Sequence, residues 1–434
     1  MAQEVNVFWF RRDLRLHDNV GFFKALHGKL PVLPVFIFDT NILEELPEDD
    51  ARVNFIHRQL NRMNDKLREH GSSLLVLQGS PEDAFSEILS DYEVKNVITN
   101  RDYEPYAKQR DEEVEAMLSE KNIGFYTYKD QVIFEKDEVV KNDGDPYVVY
   151  TPYMKTWRDQ FDPEKHIKDH DPAKVLKNLI QEKDLRFLSL EDIGFIPSEI
   201  QVPDYDVSES LIDAYGKTRN FPDKDGTSHL GPHLRFGTVS IRQMVRKALE
   251  SSSDVFLKEL IWREFFMQIL YHYPHTVNKA FKSKYDRIPW RNNEEEFERW
   301  KEGKTGYPLV DAGMRQLKAT GYMHNRVRML VASFLCKHLL IDWRWGEAYF
   351  AEKLLDYEQA SNVGNWQWAS GSGVDAAPYF RIFNPMTQVD KFDKDKRYIK
   401  TWVEEFGTDA YCDPVVEHKK GRERALDTYK EALT

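Results

Sequence analysis

VNVFWFRRDLRLHDNVGFFKALHGKLPVLPVFIF, residues 5–38, is the stretch that decides the fold. Its two ends, Val5–Phe10 and Leu33–Phe38, are apolar runs rich in β-branched and aromatic residues, the composition of buried strands. Val20–His27 between them has the spacing of a helix. Strand, helix and strand with short connections is the repeating unit of a parallel sheet covered by helices. The pattern continues outward. Ser73–Leu77, Val97–Thr99 and Phe125–Tyr128 read as strands, and Ala51–His70, Pro81–Ser90 and Pro105–Lys121 as helices.

The expected fold class is therefore α/β followed by all-α. Residues 1–133 form a doubly wound, Rossmann-like parallel-sheet domain. Residues 134–206 form a long connector, marked by charge runs such as Lys136–Lys141 and by the Pro/Asp-rich stretches QFDPEKHIKDHDP and IPSEIQVPDYD. Residues 207–434 form an all-helical domain, with helical periodicity over Ser208–Asn220, Ser240–Ser251, Asp254–Tyr273, Asn293–Glu302, Pro308–Thr320, Asn325–Leu340 and Trp345–Leu355.

A ligand of the open sheet would lie beyond the carboxyl ends of its strands. FRRDLRLHDN stands after the first strand, where a dinucleotide site would carry Gly-x-Gly-x-x-Gly, so a main cofactor need not sit there. Arg11, Arg12 and Arg15 read either as anion contacts or as ion pairs with Asp13 and Asp18.

Bulk composition removes several function classes. Hydrophobic residues at 41% exclude a disordered chain. The two cysteines, Cys336 and Cys412, exclude a disulfide framework, a four-cysteine zinc site and an iron–sulfur cluster. No metal is expected, and redox chemistry would need an organic cofactor. The net charge of −12 does not decide nucleic-acid binding, because one basic face suffices. No apolar run is long enough for a membrane span, and the N-terminus lacks a signal-peptide pattern, so no membrane partner and a cytoplasmic location are expected.

Five constellations carry chemistry. Thr227-Ser228-His229-Leu230-Gly231-Pro232 offers hydroxyl and backbone donors at a helix start, which suits a phosphate or an ordinary N-cap. Glu259, Trp262, Arg263 and Phe266 fall on one helical face. They suit the reading of a base by stacking and hydrogen bonds, or an intrahelical salt bridge. In Gly321–Met329, Arg326 and Arg328 project to different faces. One can meet nucleic acid while the other pairs inward, for example with Asp356. Lys337 and Arg344 add positive charge nearby.

Trp290, Trp343 and Trp366 are a set of indoles that suits stepwise electron transfer or aromatic core packing. The fifth constellation is DYEQASNVGNWQWASGSGVDAAPYFRIFNP, residues 356–385. It reads as a small-residue loop walling a pocket for a redox-active ring. Gly364, Ala369, Ser370, Gly371, Ser372 and Gly373 would let the backbone approach a flat ligand. Asp356, Glu358 and Asn362 would fix its edge.

Taken together these segments resemble the photolyase/cryptochrome family. The likeness runs through FWFRRDLRLHDN, TSHLGPHLRFGTVS, ELIWREFF, the long run from Glu302 to Phe350, and DAAPYFRIFNP. The resemblance implies an antenna domain followed by a helical domain that holds FAD. It implies FAD-binding positions at Tyr215, Thr227, Ser228, Leu230, Glu259, Arg263, Asn325, Arg328, Asp356, Glu358 and Asn362. Asn362 would face flavin N5 and fits a photolyase, since plant and animal cryptochromes carry Asp and Cys there. Glu358 replaces the usual Asp, and Asn365 a common Gly.

The resemblance also implies an electron-transfer triad of Trp366, Trp343 and Trp290, with Trp290 outermost. Glu259, Trp262, Asn325, Arg326, Met329 and Trp368 match the pocket for cyclobutane pyrimidine dimers. Lys155, Arg219, Arg263, Arg326 and Arg381 match contacts to DNA. Enzymes for (6-4) lesions carry a His pair at the equivalent of His324-Asn325, so Asn325 and Met329 favour the cyclobutane substrate.

The implied activity is light-driven repair of UV-damaged DNA by a monomer. The alternatives are a cryptochrome photoreceptor, a (6-4) photolyase and an electron-transfer flavoprotein. The end of the chain at Thr434, with no long signalling tail, disfavours the photoreceptor. Glu104 resembles a position that contacts an antenna methenyltetrahydrofolate, with a deazaflavin, FMN or an empty site as alternatives.

Overall fold

The computed structural model describes residues 3–434. Its compact units are two, and they do not follow the boundaries that composition suggests. The first unit comprises residues up to Glu135, Gln160–Tyr205 and His229–Leu249; the second comprises Lys136–Asp159, Asp206–Ser228 and Glu250–Thr434. The expected connector is thus divided between the units. Its Tyr150–Gln160 portion is a helix that buries Tyr150, Tyr153 and Trp157, a core-facing stripe hidden from a composition argument by the charges around it.

The first unit contains a five-stranded sheet of β1 (Glu4–Phe10), β2 (Val32–Asp39), β3 (Leu75–Gly79), β4 (Glu93–Asn100) and β5 (Gly124–Tyr128). All pairings are parallel and the order is β3-β2-β1-β4-β5. β2 is buried along its whole length and β1 at all but its first residue, which explains their unbroken apolar runs. Val5, Val7, Trp9, Val35 and Ile37 enter one core with Phe85, Val114 and Leu118 from the covering helices. The strand order reverses between β1 and β4. The carboxyl ends of those strands deliver Arg11 and Arg12, and Arg101 and Asp102, to one edge.

The second unit is built from helices, and its core joins Trp300, Val310, Met314, Val327, Phe334, Trp343, Phe350 and Trp366. The run expected as a loop, residues 356–385, contains a helix, Gln359–Ser370, closed by Gly371 at φ 93°. It packs against the Val255–His272 and Trp343–Lys353 helices. Two small residues make that packing possible. A Cβ on Gly364 would stand 2.3 Å from Phe266 Cδ1, and one on Gly346 would stand 2.1 Å from Trp366 Cη2. These glycines admit the protein's own rings, not a ligand.

The helix beginning at Asn325 is regular to Ser333, then winds as a π-helix over Phe334–Leu339 and ends at Leu340 with φ 54°. Lys337 lies within the π stretch. It is buried, donates to the Ser370 carbonyl at 2.7 Å and sits 3.7 Å from the Tyr429 ring centroid. Burial brings its pKa down to about 7. It is therefore not the surface charge that its sequence neighbours suggest. Among the described residues no helix is long and apolar enough to cross a membrane.

Candidate functional site

The Gln359–Ser370 helix places Trp366 and Trp368 about 200° apart around its axis. Trp366 is buried in the core, while Trp368 is half-buried and lines an opening with about 600 Å³ of empty space. Asn325, Arg328, Met329, Asp356, Glu358 and Asn362 line the same opening. Six residues scattered over the sequence, which the sequence reading divides between the flavin and the dimer, thus line one opening. The two tryptophans, neighbours in sequence, face different surroundings.

The polar wall is built from paired groups. Arg328 donates to both Asp356 carboxylate oxygens, at 3.0 and 2.9 Å, and to the Met323 carbonyl at 2.7 Å. This bidentate geometry fixes both side chains. Asn362 donates through Nδ2 to Glu347 Oε1 at 2.9 Å and to the Glu347 carbonyl at 3.1 Å. Its amide nitrogen is therefore committed, and its carbonyl oxygen is the end left for the opening. Burial raises the Glu347 pKa, against the smaller opposing effect of Asn362. Glu358 is buried and accepts from Arg263 at 3.2 Å and from Ser361 Oγ at 3.2 Å. Trp366 Nε1 is buried without a hydrogen-bond partner.

The residues on the Val255–His272 helix face separate partners. Glu259 pairs with Arg219, Trp262 lies flat on Tyr150, Arg263 pairs with Glu358, and Phe266 packs at Gly364. The intrahelical salt bridge considered for Glu259 and Arg263 does not form, because each carboxylate and guanidinium has a partner on another element. Burial raises the Glu259 pKa, and Arg219 opposes the rise. Arg263 points inward, with a side chain only 12% exposed, so it stands with the polar wall and not on a DNA-facing surface.

Other expected residues divide in the same way. Lys155 and Arg381 are exposed. Arg326 donates to Asn220 and lies 4.5 Å from the Phe392 ring centroid. Tyr215 is half-buried, edge-on to Phe256 at 5.3 Å. The ordinary N-cap reading of Thr227 and Ser228 is not what the fold shows. The Gly231–Arg235 helix is one short turn without a side-chain cap. Thr227 Oγ1 instead lies 3.1 Å from Tyr322 Oη, and Ser228 is buried. Leu230 is buried in the first unit. Trp343 and Trp366 share the helical core, and the half-buried Trp290 packs against it.

At the sheet's carboxyl edge the arginines are spent internally, though not in ion pairs with the Asp13 and Asp18 carboxylates; Arg15 meets Asp18 only at its backbone carbonyl, at 2.7 Å. Arg11 pairs with Asp111, Arg12 with Asp102 at 3.1 Å and Arg15 with Asp130 at 2.6 Å. These partners are remote in sequence and so invisible to a local reading. Glu104 is held by Arg235 at 2.6 Å and Arg12 at 3.1 Å, which does not fit a carboxylate reserved for a folate. Arg11 and Arg110 lie 4.9 and 5.0 Å from the Trp9 ring centroid.

Sequence reasoning missed Glu347 and Tyr150. Glu347 follows a glycine in a helix with no marker of a pocket. Tyr150 lies in the presumed connector, and only the aromatic spacing Tyr150, Tyr153, Trp157 could have shown that this segment is helical.

Comparison with known proteins gives a consistent result. Residues 6–184 match the family model described as DNA photolyase, and residues 256–409 match the FAD binding domain of DNA photolyase. The deoxyribodipyrimidine photo-lyase of Halobacterium salinarum is 36% identical, with 99% of each chain covered. Among solved structures, a class III photolyase from Agrobacterium tumefaciens superposes with a TM-score of 0.89 at 33% identity, covering 100% of this chain and 98% of that one. An archaeal photolyase from Sulfolobus tokodaii, solved with two FAD molecules, gives 0.85 at 34% identity, covering 99% of this chain and 100% of that one.

Proposed function

This chain belongs to the DNA photolyase family, and from that premise we propose that it uses light to split cyclobutane pyrimidine dimers in DNA, with FAD held in the helical unit. One observation carries the reading. A single opening is lined by the paired Arg328–Asp356 charges, by the Asn362 amide, and by Asn325, Met329 and Trp368. A flat heteroaromatic group with a polar edge fits this donor set, and the partnerless buried Nε1 of Trp366 stands at the same opening.

Asn325, Arg328, Asp356, Glu358 and Asn362 hold the flavin, with Arg263 orienting Glu358. Tyr215, Thr227 and Ser228 complete the FAD positions of the helical unit. When bound in reduced form and excited by light, FAD supplies the electron that opens the cyclobutane ring and takes it back, with no net redox change.

The chain's own residues select and hold the substrate. Extruding the dimer from the duplex costs less than flipping an intact base, because the lesion already weakens pairing and stacking. Lys155, Arg219, Arg326 and Arg381 hold the flanking phosphates. Trp262 and Trp368 pack on the dimer faces, with Met329 beside them. Glu259 and Asn325 meet its polar edges, so Arg219 exchanges Glu259 for phosphate as DNA binds. Trp366, Trp343 and Trp290 connect the pocket with the surface for re-reduction of oxidised flavin. The protein acts as a monomer in the cytoplasm, which sizing chromatography and cell fractionation test.

The decisive experiment illuminates the reduced, flavin-loaded protein with dimer-containing DNA and follows the return of thymine absorbance. Recovery is expected. Its absence with flavin bound and reduced would overturn the repair reading.

A further inference from the structure

We propose that Tyr150 is the positioning residue that holds Trp262 for recognition of the dimer, an inference that rests on the repair reading above. The two rings are parallel to within 8°, with centroids 3.6 Å apart. Tyr150 is 7% exposed, whereas Trp262 remains half-buried.

Both ends of the tyrosine are fixed. Its hydroxyl donates to the Lys258 carbonyl at 2.7 Å, and its backbone N–H donates to Asp375 Oδ2 at 3.3 Å. Lys258 lies one helical turn before Trp262 on the same helix. The hydroxyl bond anchors the phenol beside the turn that carries the indole, and the stacked phenol ring sets the plane of that indole. Phe265 lies edge-on to Trp262 at 5.6 Å, and Phe266 lies 5.5 Å away at 26°. Neither stacks closely enough to replace Tyr150.

An indole free to turn would lose rotamer entropy, at a cost to affinity, each time it met a ligand. Tyr150 meets that cost during folding. Burial and the nearby Glu259 charge both raise the phenol pKa, so the hydroxyl stays a donor across the working range. The interaction favours the apolar cyclobutane side of the lesion, because the braced indole offers a surface and no new polar group. DNA without a dimer does not present that lesion to the indole, and its binding does not depend on the brace.

The test compares Tyr150→Ala and Tyr150→Phe with wild type in the dark, all as flavin-loaded protein. Affinities are measured for dimer-containing and undamaged duplexes of one sequence, with flavin content and Tm recorded beside them. The expected result for the alanine variant is a severalfold loss of affinity for dimer DNA alone. The phenylalanine variant, which keeps the stack, is expected to stay within about twofold of wild type on both duplexes. An alanine variant with an unchanged preference for dimer DNA would overturn the proposal. So would equal losses on both duplexes, or a phenylalanine variant as impaired as the alanine one. If wild type itself shows no preference for dimer DNA, the repair reading fails and takes this inference with it.

Discussion

The carboxyl edge of the parallel sheet and the opening beside the Gln359–Ser370 helix use the same residue types in opposite ways. At the sheet edge Arg11, Arg12, Arg110 and Arg235 meet Asp102, Glu104 and Asp111 around Trp9. Burial alone would raise the Asp102 pKa, and the four arginines together pull it well below the ordinary carboxylate range. Those charges neutralise one another. Around the opening, Arg328 and Asp356 also pair, but they leave space bounded by Asn362 and Trp368. The lesson is that an arginine and a carboxylate beside an indole do not mark a site. What marks one is that their pairing leaves a volume bounded by further polar groups.

The strongest way to break this comparison is to remove one acid from each region. Asp356→Ala leaves Arg328 without its carboxylate, and a loss of about 3 kcal/mol is expected together with loss of flavin. Asp102→Ala is expected to cost a similar amount and to leave flavin content intact. Urea unfolding and the flavin absorbance of the purified variants distinguish the two. Loss of flavin from the Asp102 variant would show that the sheet edge matters to the cofactor.

A second contrast concerns the tryptophans. Trp290→Phe should abolish most light-driven reduction of oxidised flavin while sparing repair by chemically pre-reduced protein. Trp9→Phe should change neither, as transient absorption and a repair assay would show. Next in size, Glu259→Ala should lower affinity for dimer DNA roughly tenfold, the loss of a charge-assisted hydrogen bond, with flavin retained. Unchanged binding would remove Glu259 from the lesion contacts.

Glu104→Gln tests the sheet edge more gently. A loss of about 1–2 kcal/mol is expected, with no change in the absorption spectrum. Disappearance of a second absorption band would reveal a chromophore beside Glu104. The smallest effect belongs to Glu347. Its raised pKa means that the folded protein keeps a proton that the unfolded chain releases first. Stability should therefore fall as pH rises from about the ordinary carboxylate pKa to the raised one, by at most about 1.4 kcal/mol per pH unit. Glu347→Gln should flatten that slope in urea titrations between acid and neutral pH.

The sheet was legible because β1 and β2 are buried on both faces, which leaves an unambiguous apolar run. Helical geometry showed only that Arg326 and Arg328 face different ways; which of them pairs with Asp356 needed the structure. The Gln359–Ser370 helix was not legible, since Asn, Ser and Gly have low helix propensity and its stability comes from packing against two other helices. Gly364 suggested room for a ligand, yet Phe266 occupies that room. The partners of Arg11, Arg12 and Arg15 lie too far along the chain for any local pattern to show. Tyr150 was hidden because charge and proline content describe a segment's surface and say little about the stripe it buries.

The π-helical stretch Phe334–Leu339 has a consequence for how this chain tolerates change in length. Each residue gained or lost in a helix turns everything after it by about 100°. Asn325 and Trp343 lie on opposite sides of that wide turn, one lining the opening and the other in the core. The wide turn absorbs one residue's worth of rotation between them. A single-residue deletion here would be accommodated by ordinary α-helical winding, and the chain would still read as a good helix. It would leave Asn325 and Trp343 in their present relation and shift only residues within the wide turn, Lys337 among them. A single-residue deletion at this point is therefore expected to be milder than one in the regular Asn325–Ser333 stretch, where it would rotate everything that follows.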